Sequence, residues 1–272
     1  MTEPDRIVES RDGTPIAVFE SGTPEPGTAP LLLVHGTTAD HLTFRVVGPI
    51  LARRRRLHAI DRRGRGASGD GPAYAVEREF ADVAAVADAI AAVGWAPVDV
   101  VGHSFGGRCA LGAALRTKSI RRVVSYEGAP APPGRAYQPP GLVDRLRAHL
   151  EFGDLEAVLE TFMREVVAMD DAGIARFRAD PVWPLRVAAA PTILRELDAE
   201  LDPAASLDAL GAVTNRVLQV LGTASVEAFH VATEALDARL AGGTVARIEG
   251  AAHAAHHTHP DAFVAAVEVF LD

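Results

Sequence analysis

The chain has little cysteine, no excess of positive charge and no long apolar run, and each shortage excludes a class of protein. Cys109 is the only cysteine in 272 residues, so no intramolecular disulfide can form. The net charge of −9 gives nucleic-acid binding no electrostatic support. No apolar run is long enough to span a bilayer. What is present, 48% hydrophobic and 23% charged residues, predicts a soluble globular protein with one large α/β domain.

The first residues of the chain are polar and acidic, unlike a signal peptide, so we expect a cytoplasmic protein. Positive charge is concentrated in the four arginines of 53–56, which end a predicted helix just before a strand. We interpret them as the solvated C-terminus of that helix. No aromatic or amphipathic stripe accompanies them, which disfavours a phosphate or membrane site. The sequence leaves a homodimer open.

Short apolar runs alternate with helical patterns through most of the chain. Strands are predicted at 6–10, 16–20, 31–34, 57–60, 98–101, 121–126, 216–221 and 244–248, and helices at 44–53, 76–93, 109–115, 226–240 and 260–270. Asp12-Gly13 is a hairpin signal between the first two strands. Strands that alternate with helices imply an α/β fold, a mostly parallel sheet with helices on both faces.

The alternation stops between residues 129 and 205. A segment rich in proline and glycine (129–140) is followed by helical patterns alone, at 142–152, 155–169, 172–179 and 187–201. We therefore predict a core made of 1–128 and 206–272 and an inserted helical cap made of 129–205. Such a cap lies over the carboxyl ends of the strands, where ligands bind in open α/β sheets.

A Gly-x-Ser-x-Gly motif centred on Ser104 joins a valine-rich strand to a helix of small residues. A tight turn of this kind lifts the hydroxyl out of the sheet, where a base can reach it, and Gly102 and Gly106 remove side chains that would clash. The first N–H groups of the helix favour negative charge at the same point. Ser104 is the predicted nucleophile.

A serine nucleophile needs a base, and His253 is the predicted one because it follows the strand at 244–248 in a loop late in the chain. Three neighbouring histidines, His256, His257 and His259, raise the alternative of a metal site. The run lacks a clear ligand pattern with carboxylate support, so no metal is predicted. We expect these three at the surface or at the rim of a pocket.

The acid that orients the base departs from the commonest arrangement. Ser225 stands in the turn after the strand at 216–221, where an aspartate is expected. Glu127 instead ends the strand at 121–126, beside the nucleophile strand in a doubly wound sheet, and is the predicted acid. Glu227, an unidentified carboxylate, or none at all, are the alternatives. Glu127 could also simply fix the hinge of the cap beside Gly128.

Backbone N–H groups are expected to hold the oxyanion, one from Phe105 and one from the loop after the strand at 31–34. In that loop, Gly36 lets the chain turn under the substrate, which leaves the Thr37 N–H as the second donor. His35 is predicted to pack or to donate hydrogen bonds there. His35, Gly36 and the cap residue Trp183 are the predicted substrate-binding residues.

Gly64-Arg65-Gly66-Ala67-Ser68-Gly69 matches Gly-x-Gly-x-x-Gly, the fingerprint of dinucleotide binding. Asp70-Gly71-Pro72 follows, so the chain keeps turning where a helix should begin. We interpret the segment as a structural loop in which Asp61, Arg62 and Arg63 form hydrogen bonds that stabilise the turn.

Together these segments resemble the α/β-hydrolase superfamily over nearly the whole chain: His35-Gly36, 61–68, 102–107, and Gly250 and His253 with Pro260. The resemblance implies an eight-stranded sheet with a helical cap, no cofactor, and acyl transfer to water. An acid after the sixth strand is similar to one group of haloalkane dehalogenases. Those enzymes and the similar epoxide hydrolases need an aspartate nucleophile, and Ser104 disfavours both chemistries.

The leading hypothesis is therefore a serine hydrolase acting on a small-molecule carboxylic ester, lactone or thioester. A cofactor-free acyltransferase, cyclase or perhydrolase would use the same triad, and a non-catalytic ligand-binding protein would keep only the fold. Substrate is expected between the core and the cap. The apolar cap residues form either a pocket wall or the cap's own core: Leu142, Leu146, Phe152, Phe162, Met163, Trp183 and Leu185.

Overall fold

The computed structural model describes residues 3–71, 73–94, 96–135 and 137–272, and its centre is one eight-stranded sheet. Pro72, the last residue of the predicted turn after Gly69, lies outside the described residues. The strands are β1 (Arg6–Glu9), β2 (Pro15–Ser21), β3 (Leu31–Val34), β4 (Leu57–Ile60), β5 (Val98–His103), β6 (Ile120–Tyr126), β7 (Arg216–Gly222) and β8 (Gly243–Ile248). All eight correspond to predicted strands.

The strand order is β1-β2-β4-β3-β5-β6-β7-β8. The hairpin β1–β2 is antiparallel and β2 pairs antiparallel with β4, whereas the pairs from β4 to β8 are parallel. In β3 all four residues are buried, and alternate side chains enter the cores on opposite faces, Leu32 and Val34 on one and Leu31 and Leu33 on the other. This arrangement confirms the predicted fold class.

Helices cover both faces of the sheet. Their bounds are α1 (Gly48–Leu51), α2 (Val76–Gly94), α3 (Phe105–Ala114), α4 (Leu142–Glu151), α5 (Leu155–Glu165), α6 (Asp171–Arg178), α7 (Trp183–Ala189), α8 (Ile193–Ala199), α9 (Leu207–Gly211), α10 (Glu227–Asp237), α11 (Ala255–Thr258) and α12 (Pro260–Leu271). Helices α2, α3, α9 and α10 pack on one face, and α1 and α12 pack on the other.

Helices α4 to α8 form the inserted block between β6 and β7. The single helix predicted at 187–201 is two helices, because Pro191 cannot continue the hydrogen bonding of α7 and a 3-10 turn intervenes before α8. The block has its own apolar core, which runs from Leu142 to Leu197. Ala199 and Ala205 pack instead with the apolar core between the sheet and the helices α2, α3, α9 and α10. The chain therefore begins to pack against the sheet before the predicted boundary at 205.

The helix predicted at 44–53 is the clearest difference in secondary structure. A 3-10 turn covers His41–Phe44 and α1 spans only Gly48–Leu51, with Pro49 at its first turn. The interpretation of 53–56 as a solvated terminus is wrong for Arg55, whose side chain is 1% exposed. Arg55 forms ion pairs of 3.0 Å with both Glu268 and Asp272 and thereby holds α12 against the sheet.

The glycine-rich segment after β4 forms a turn, and no helix begins at Gly69. The buried carboxylate of Asp61 accepts the N–H groups of His41 and Ala67, both at 2.8 Å. The Arg63 guanidinium pairs with Asp82 on α2 at 2.7 Å. These contacts hold the loop against the core.

None of the helices in the described part of the chain is long and apolar enough to cross a membrane.

Candidate active site

Ser104 lies on a strained turn between β5 and α3, with φ 55° and ψ −127°. This conformation is uncommon for a residue with a side chain and is held by its surroundings. The Ser104 N–H donates to the carbonyl of Tyr126 on the neighbouring strand at 2.8 Å. A Cβ at Gly102 would collide with the Gly106 carbonyl, and one at Gly106 would collide with the carbonyls of Val34 and His35. Both glycines are therefore required for the turn.

Glu127 and His253 meet at the carboxyl ends of the strands. The Glu127 Oε2 lies 2.5 Å from the His253 Nδ1, and the carboxylate is fully buried. Glu127 directly follows β6 and has a positive φ of 47°, which turns its side chain back over the sheet edge. A carboxylate at this position can hold an imidazole in one tautomer and orientation.

Ser225 contacts the carboxylate rather than the histidine. Its hydroxyl donates to the Glu127 Oε1 at 2.5 Å, and the Gly222 N–H donates to the same oxygen at 2.9 Å. The turn after β7, where an aspartate was expected, therefore supplies the donors that fix the glutamate. The alternative acid Glu227 begins α10 and does not line the cavity described below.

Contacts other than the one with Glu127 also hold His253 and its loop in place. The Phe229 ring stacks on it with centroids 4.5 Å apart, and the His103 Nε2 donates to the His253 carbonyl at 2.9 Å. The Tyr126 hydroxyl donates to the Ala252 carbonyl and accepts the Ala255 N–H at 2.9 Å. The loop that carries the histidine is thus fixed on both sides of it.

Ser104, His253 and Glu127 line one cavity of about 550 Å³ between the core and the cap. Within the described residues the Ser104 hydroxyl has no hydrogen-bond partner, the His253 ring included. Hydrogen bonds of this kind are often long in ligand-free enzymes and shorten when substrate binds. The Thr37 and Phe105 N–H groups likewise donate to no group in the described part of the chain, and both residues line the cavity.

His35 and Gly36 lie beneath the cavity wall and do not line it. The His35 Nε2 accepts the Arg62 N–H, so its Nδ1 donates to the Gly36 carbonyl, both at 2.9 Å. A Cβ on Gly36 would lie 2.9 Å from the Ser104 Cβ, too close to be tolerated. These two residues shape the loop that carries Thr37, and their assignment as substrate-binding residues stays a prediction.

Trp183 is the third of the predicted substrate-binding residues. It lies in the cap's own core, donates from Nε1 to Glu156 at 3.2 Å, and does not reach the cavity. Leu142 and Leu146 lie in the same cap core, Leu185 lines a second cavity, and Phe152 is 88% exposed. Phe162 and Met163 do line the cavity, together with Val166, Val167 and Met169.

The histidines near residue 253 are less exposed than expected. His256 is buried, and its ring packs 4.4 Å from the ring of His103. Burial lowers the pKa of His103 and of His256 well below the ordinary value, and neighbouring histidines and Arg186 lower both further. Burial, with Arg45 and Arg186, lowers the pKa of His257 to about 4. No group of three His, Cys, Asp or Glu side chains in the described chain converges as metal ligands would.

Arg186 is a cavity residue that the sequence did not indicate. It lies on α7, is 5% exposed, and donates to the Thr38 carbonyl at 3.2 Å and to the Thr43 hydroxyl at 2.8 Å. It therefore joins the cap to the loop that carries Thr37. An arginine in a short helical pattern is ordinarily a solvated residue, so no local signal distinguishes it.

Comparison with known proteins gives a consistent result. The model of the alpha/beta hydrolase family matches residues 31–266. N-formylmaleamate deformylase from Pseudomonas putida is 32% identical over 148 residues, 51% of this chain and 54% of that protein, so the match spans about half of the curated relative. The crystal structure of an alpha/beta hydrolase from Sphaerobacter thermophilus is 31% identical, with a TM-score of 0.80 and coverage of 98% and 100%.

A further solved structure, the enol-lactonase from Burkholderia xenovorans, has a TM-score of 0.75. It is 21% identical and covers 98% of this chain and 99% of its own. At that identity the likeness concerns the fold alone.

Proposed function

Because this chain belongs to the alpha/beta hydrolase family, we propose that it is a serine hydrolase that cleaves a carboxylic ester, lactone or thioester through an acyl-enzyme on Ser104. The observation that carries the proposal is the buried 2.5 Å contact between Glu127 and His253, in the same cavity as a serine on a strained strand-to-helix turn. A carboxylate–imidazole pair that shares a cavity with a serine hydroxyl is the arrangement that can activate the serine.

In this mechanism, His253 Nε2 takes the Ser104 proton as Oγ attacks the carbonyl carbon of the substrate. The carbonyl oxygen becomes an oxyanion, which accepts hydrogen bonds from the Thr37 and Phe105 N–H groups. The oxyanion collapses, the C–O or C–S bond to the leaving group breaks, and the leaving group receives the proton from His253. Water, deprotonated by His253, then attacks the acyl carbon and forms a second oxyanion. Its collapse breaks the bond to the Ser104 Oγ and releases the acid, and His253 returns the proton to Oγ.

The hydrogen bonds that fix the Glu127 carboxylate also determine the orientation and tautomer of His253. Glu127 Oε1 accepts the Gly222 N–H and the Ser225 O–H, so Oε2 is the oxygen left for the His253 Nδ1–H. That keeps the proton on Nδ1 and the lone pair on Nε2, which faces the substrate side. The imidazolium formed during each step is stabilised by the adjacent negative charge.

Substitution of Ser104 by alanine is the first test. We expect the Ser104→Ala protein to lose at least about 10³-fold in kcat for short 4-nitrophenyl esters, because no acyl-enzyme can form. A fluorophosphonate probe should label the wild-type protein on the peptide that contains Ser104, as seen by mass spectrometry. Undiminished hydrolysis by a variant with wild-type thermal stability would refute the proposal, and failure of the probe would favour a non-catalytic binding protein.

Hydrolysis of a C–N bond is the second candidate function, favoured by the 32% identity to N-formylmaleamate deformylase. The same residues would serve, with His253 protonating a departing nitrogen. Comparison of kcat/KM for matched ester and formamide substrates separates the two. Product analysis with added alcohol, amine or peroxide separates hydrolysis from acyl transfer and from perhydrolysis.

A further inference from the structure

One end of the catalytic cavity holds a buried guanidinium whose positive charge is incompletely matched. Arg186 uses two of its five donors on the neutral acceptors of Thr38 and Thr43. Its nearest carboxylate is Asp40 Oδ1, 4.0 Å away, which already accepts the Leu42 N–H at 3.0 Å as a helix cap. A buried cation without a close carboxylate is costly, and an anion that binds beside it offsets that cost.

Among the described residues, Asp40 is the only carboxylate within 4.0 Å of Arg186, and Asp180, which lines the same cavity, is paired with Arg45. Arg186 lines the catalytic cavity, whereas Asp40 lines the second cavity on the other side of the loop. Two other arginines that line the cavity differ in this respect. The buried Arg108 lies 3.2 Å from Glu200, and the exposed Arg45 forms an ion pair with Asp180.

Neutral hydrogen-bonding groups surround the same point. Thr43, His256 and His257 line the cavity next to Arg186, and the buried His256 Nδ1 has no partner among the described residues. The lowered pKa of both histidines keeps them uncharged near pH 7, where each has one N–H to donate. A planar guanidinium beside such donors is suited to bidentate binding of a carboxylate.

We propose that Arg186, with Thr43 and His256 beside it, binds a second carboxylate of the substrate, so that the cleaved compound is the ester, lactone or thioester of a short dicarboxylic acid. The proposal rests on the function proposed above. Arg186 contacts Thr38, the residue after the expected oxyanion donor Thr37. The bound carboxylate therefore lies near the scissile carbonyl, which favours an acyl chain of few carbons.

A matched pair of esters tests the subsite. 4-Nitrophenyl hydrogen glutarate carries a free carboxylate, and 4-nitrophenyl methyl glutarate has the same chain with that group blocked. We expect the wild-type protein to prefer the free acid at least about tenfold in kcat/KM. Arg186→Gln should lose about 30-fold or more in kcat/KM on the free acid, mainly through KM, and should lose about tenfold less on the blocked ester, so that the preference for the free acid disappears.

Arg176→Gln is the matched control, because Arg176 is an exposed arginine at the same cavity and carries the same charge. We expect it to change the preference less than about threefold, since exposed charges are screened. Arg186→Lys, which keeps the charge without the planar fork, should retain part of the preference. Equal losses on both esters in Arg186→Gln, an equal effect of Arg176→Gln, or a wild-type preference for the blocked ester would each overturn the subsite.

Direct binding separates this proposal from the function on which it rests. Calorimetry measures glutarate and the uncharged glutaramide on the Ser104→Ala protein, which needs no turnover. If glutarate binds and glutaramide does not, and if the binding of glutarate is lost in Ser104→Ala/Arg186→Gln, the subsite is supported even if no ester is hydrolysed. Hydrolysis without preference, together with no binding of glutarate, refutes the subsite and leaves the hydrolase intact. A melting curve of each variant shows that it is folded.

Discussion

At the scale of single residues, the unusual feature is how the acid of the proposed triad is held. Glu127 extends from the end of β6 with a positive φ, and the turn after β7 donates two hydrogen bonds to one of its oxygens. Ser225 therefore acts on the carboxylate and not on the imidazole. The consequence is that only Oε2 is free to meet His253, so the orientation of the carboxylate is determined before substrate arrives.

Glu127→Gln should lower kcat for 4-nitrophenyl esters by about 10³ to 10⁴-fold. The amide oxygen will take the Oε1 position, because Gly222 and Ser225 both donate there, and the amide NH₂ will then face the His253 Nδ1. That donor stabilises the tautomer with its proton on Nε2, which cannot accept the Ser104 proton. Steady-state kinetics at saturating substrate measures the loss, and a variant that keeps more than a tenth of the wild-type kcat contradicts the assignment.

A carboxylate at residue 225 provides the complementary test. In Glu127→Ala/Ser225→Asp, the aspartate occupies the turn after β7, where the Ser225 hydroxyl lies 2.5 Å from the Glu127 Oε1 in the wild-type protein. We expect this double variant to recover at least about tenfold in kcat over Glu127→Ala alone, because a nearby carboxylate can again hold the imidazole. No recovery in a folded double variant would show that the turn cannot present an acid to His253.

At the scale of elements, the cap is tied to the core by a buried ionic cluster. Glu196 on α8 pairs with Arg62 and Arg65, which follow β4, and Arg62 also lies 3.4 Å from Glu79 on α2. All four side chains are 2% exposed or less. Burial opposes the charge on Arg62, but Glu196 and Glu79 outweigh it and raise its pKa. Helix α8 is thereby held over the sheet at one fixed position.

Glu196→Ala should destabilise the protein by about 3–5 kcal/mol in urea unfolding, because it leaves two buried guanidinium groups short of negative charge. Glu160→Ala is the matched control. Glu160 also pairs with two arginines, Arg164 and Arg178, but all three side chains are between 23% and 47% exposed. There we expect a loss of about 1 kcal/mol or less. Similar losses in the two variants would mean that the buried cluster does not hold the cap.

At the scale of the whole molecule, buried neutral histidines make stability depend on pH. His103, His256 and His257 line the cavity that contains Ser104, and His35 lies beneath its wall. Burial lowers the pKa of each of these four histidines. The folded protein therefore resists protonating them, whereas the unfolded chain accepts these protons below about pH 6.5. Stability should fall as the pH decreases through this range, with each such histidine contributing up to about 1.4 kcal/mol per pH unit.

His257→Gln should weaken that dependence. His257 faces Arg45, Arg186, Asp180 and the His256 ring, and its pKa is lowered to about 4. The free energy of unfolding therefore decreases as the pH falls from about 6.5 to about 4, because only the unfolded chain takes up this proton. Between pH 7 and pH 5, the free energy of unfolding should decrease by about 1–2 kcal/mol less in the variant than in the wild type. Between pH 7.5 and pH 8.5 the two curves should run parallel, since the group is neutral in both states. Parallel curves over the whole range would contradict the expectation.

Much of the fold follows from local patterns. The four consecutive apolar residues of β3 are typical of a strand buried on both faces, and Asp12-Gly13 between alternating segments favours a hairpin. The turn at Ser104 depends on Gly102 and Gly106, which are themselves part of the motif. The meeting of Glu127 and His253 was also predictable, because the parallel strands β6, β7 and β8 end at the same edge of the sheet. These features depend on periodicity and on glycine positions, which the sequence states directly.

Which residues form the cavity wall depends on the tertiary structure and does not follow from local sequence patterns. Trp183 and Arg186 are three residues apart on α7, yet the tryptophan enters the cap's own core and the arginine reaches the loop after β3. Which of them faces the cavity depends on how α7 is rotated against the core, and long-range contacts determine that rotation. The burial of His256 and the contact of Ser225 with Glu127 likewise join segments far apart in the chain. The sequence by itself thus determined the strands and the turn that carries Ser104, the proposed nucleophile, whereas packing between distant segments decided what surrounds them.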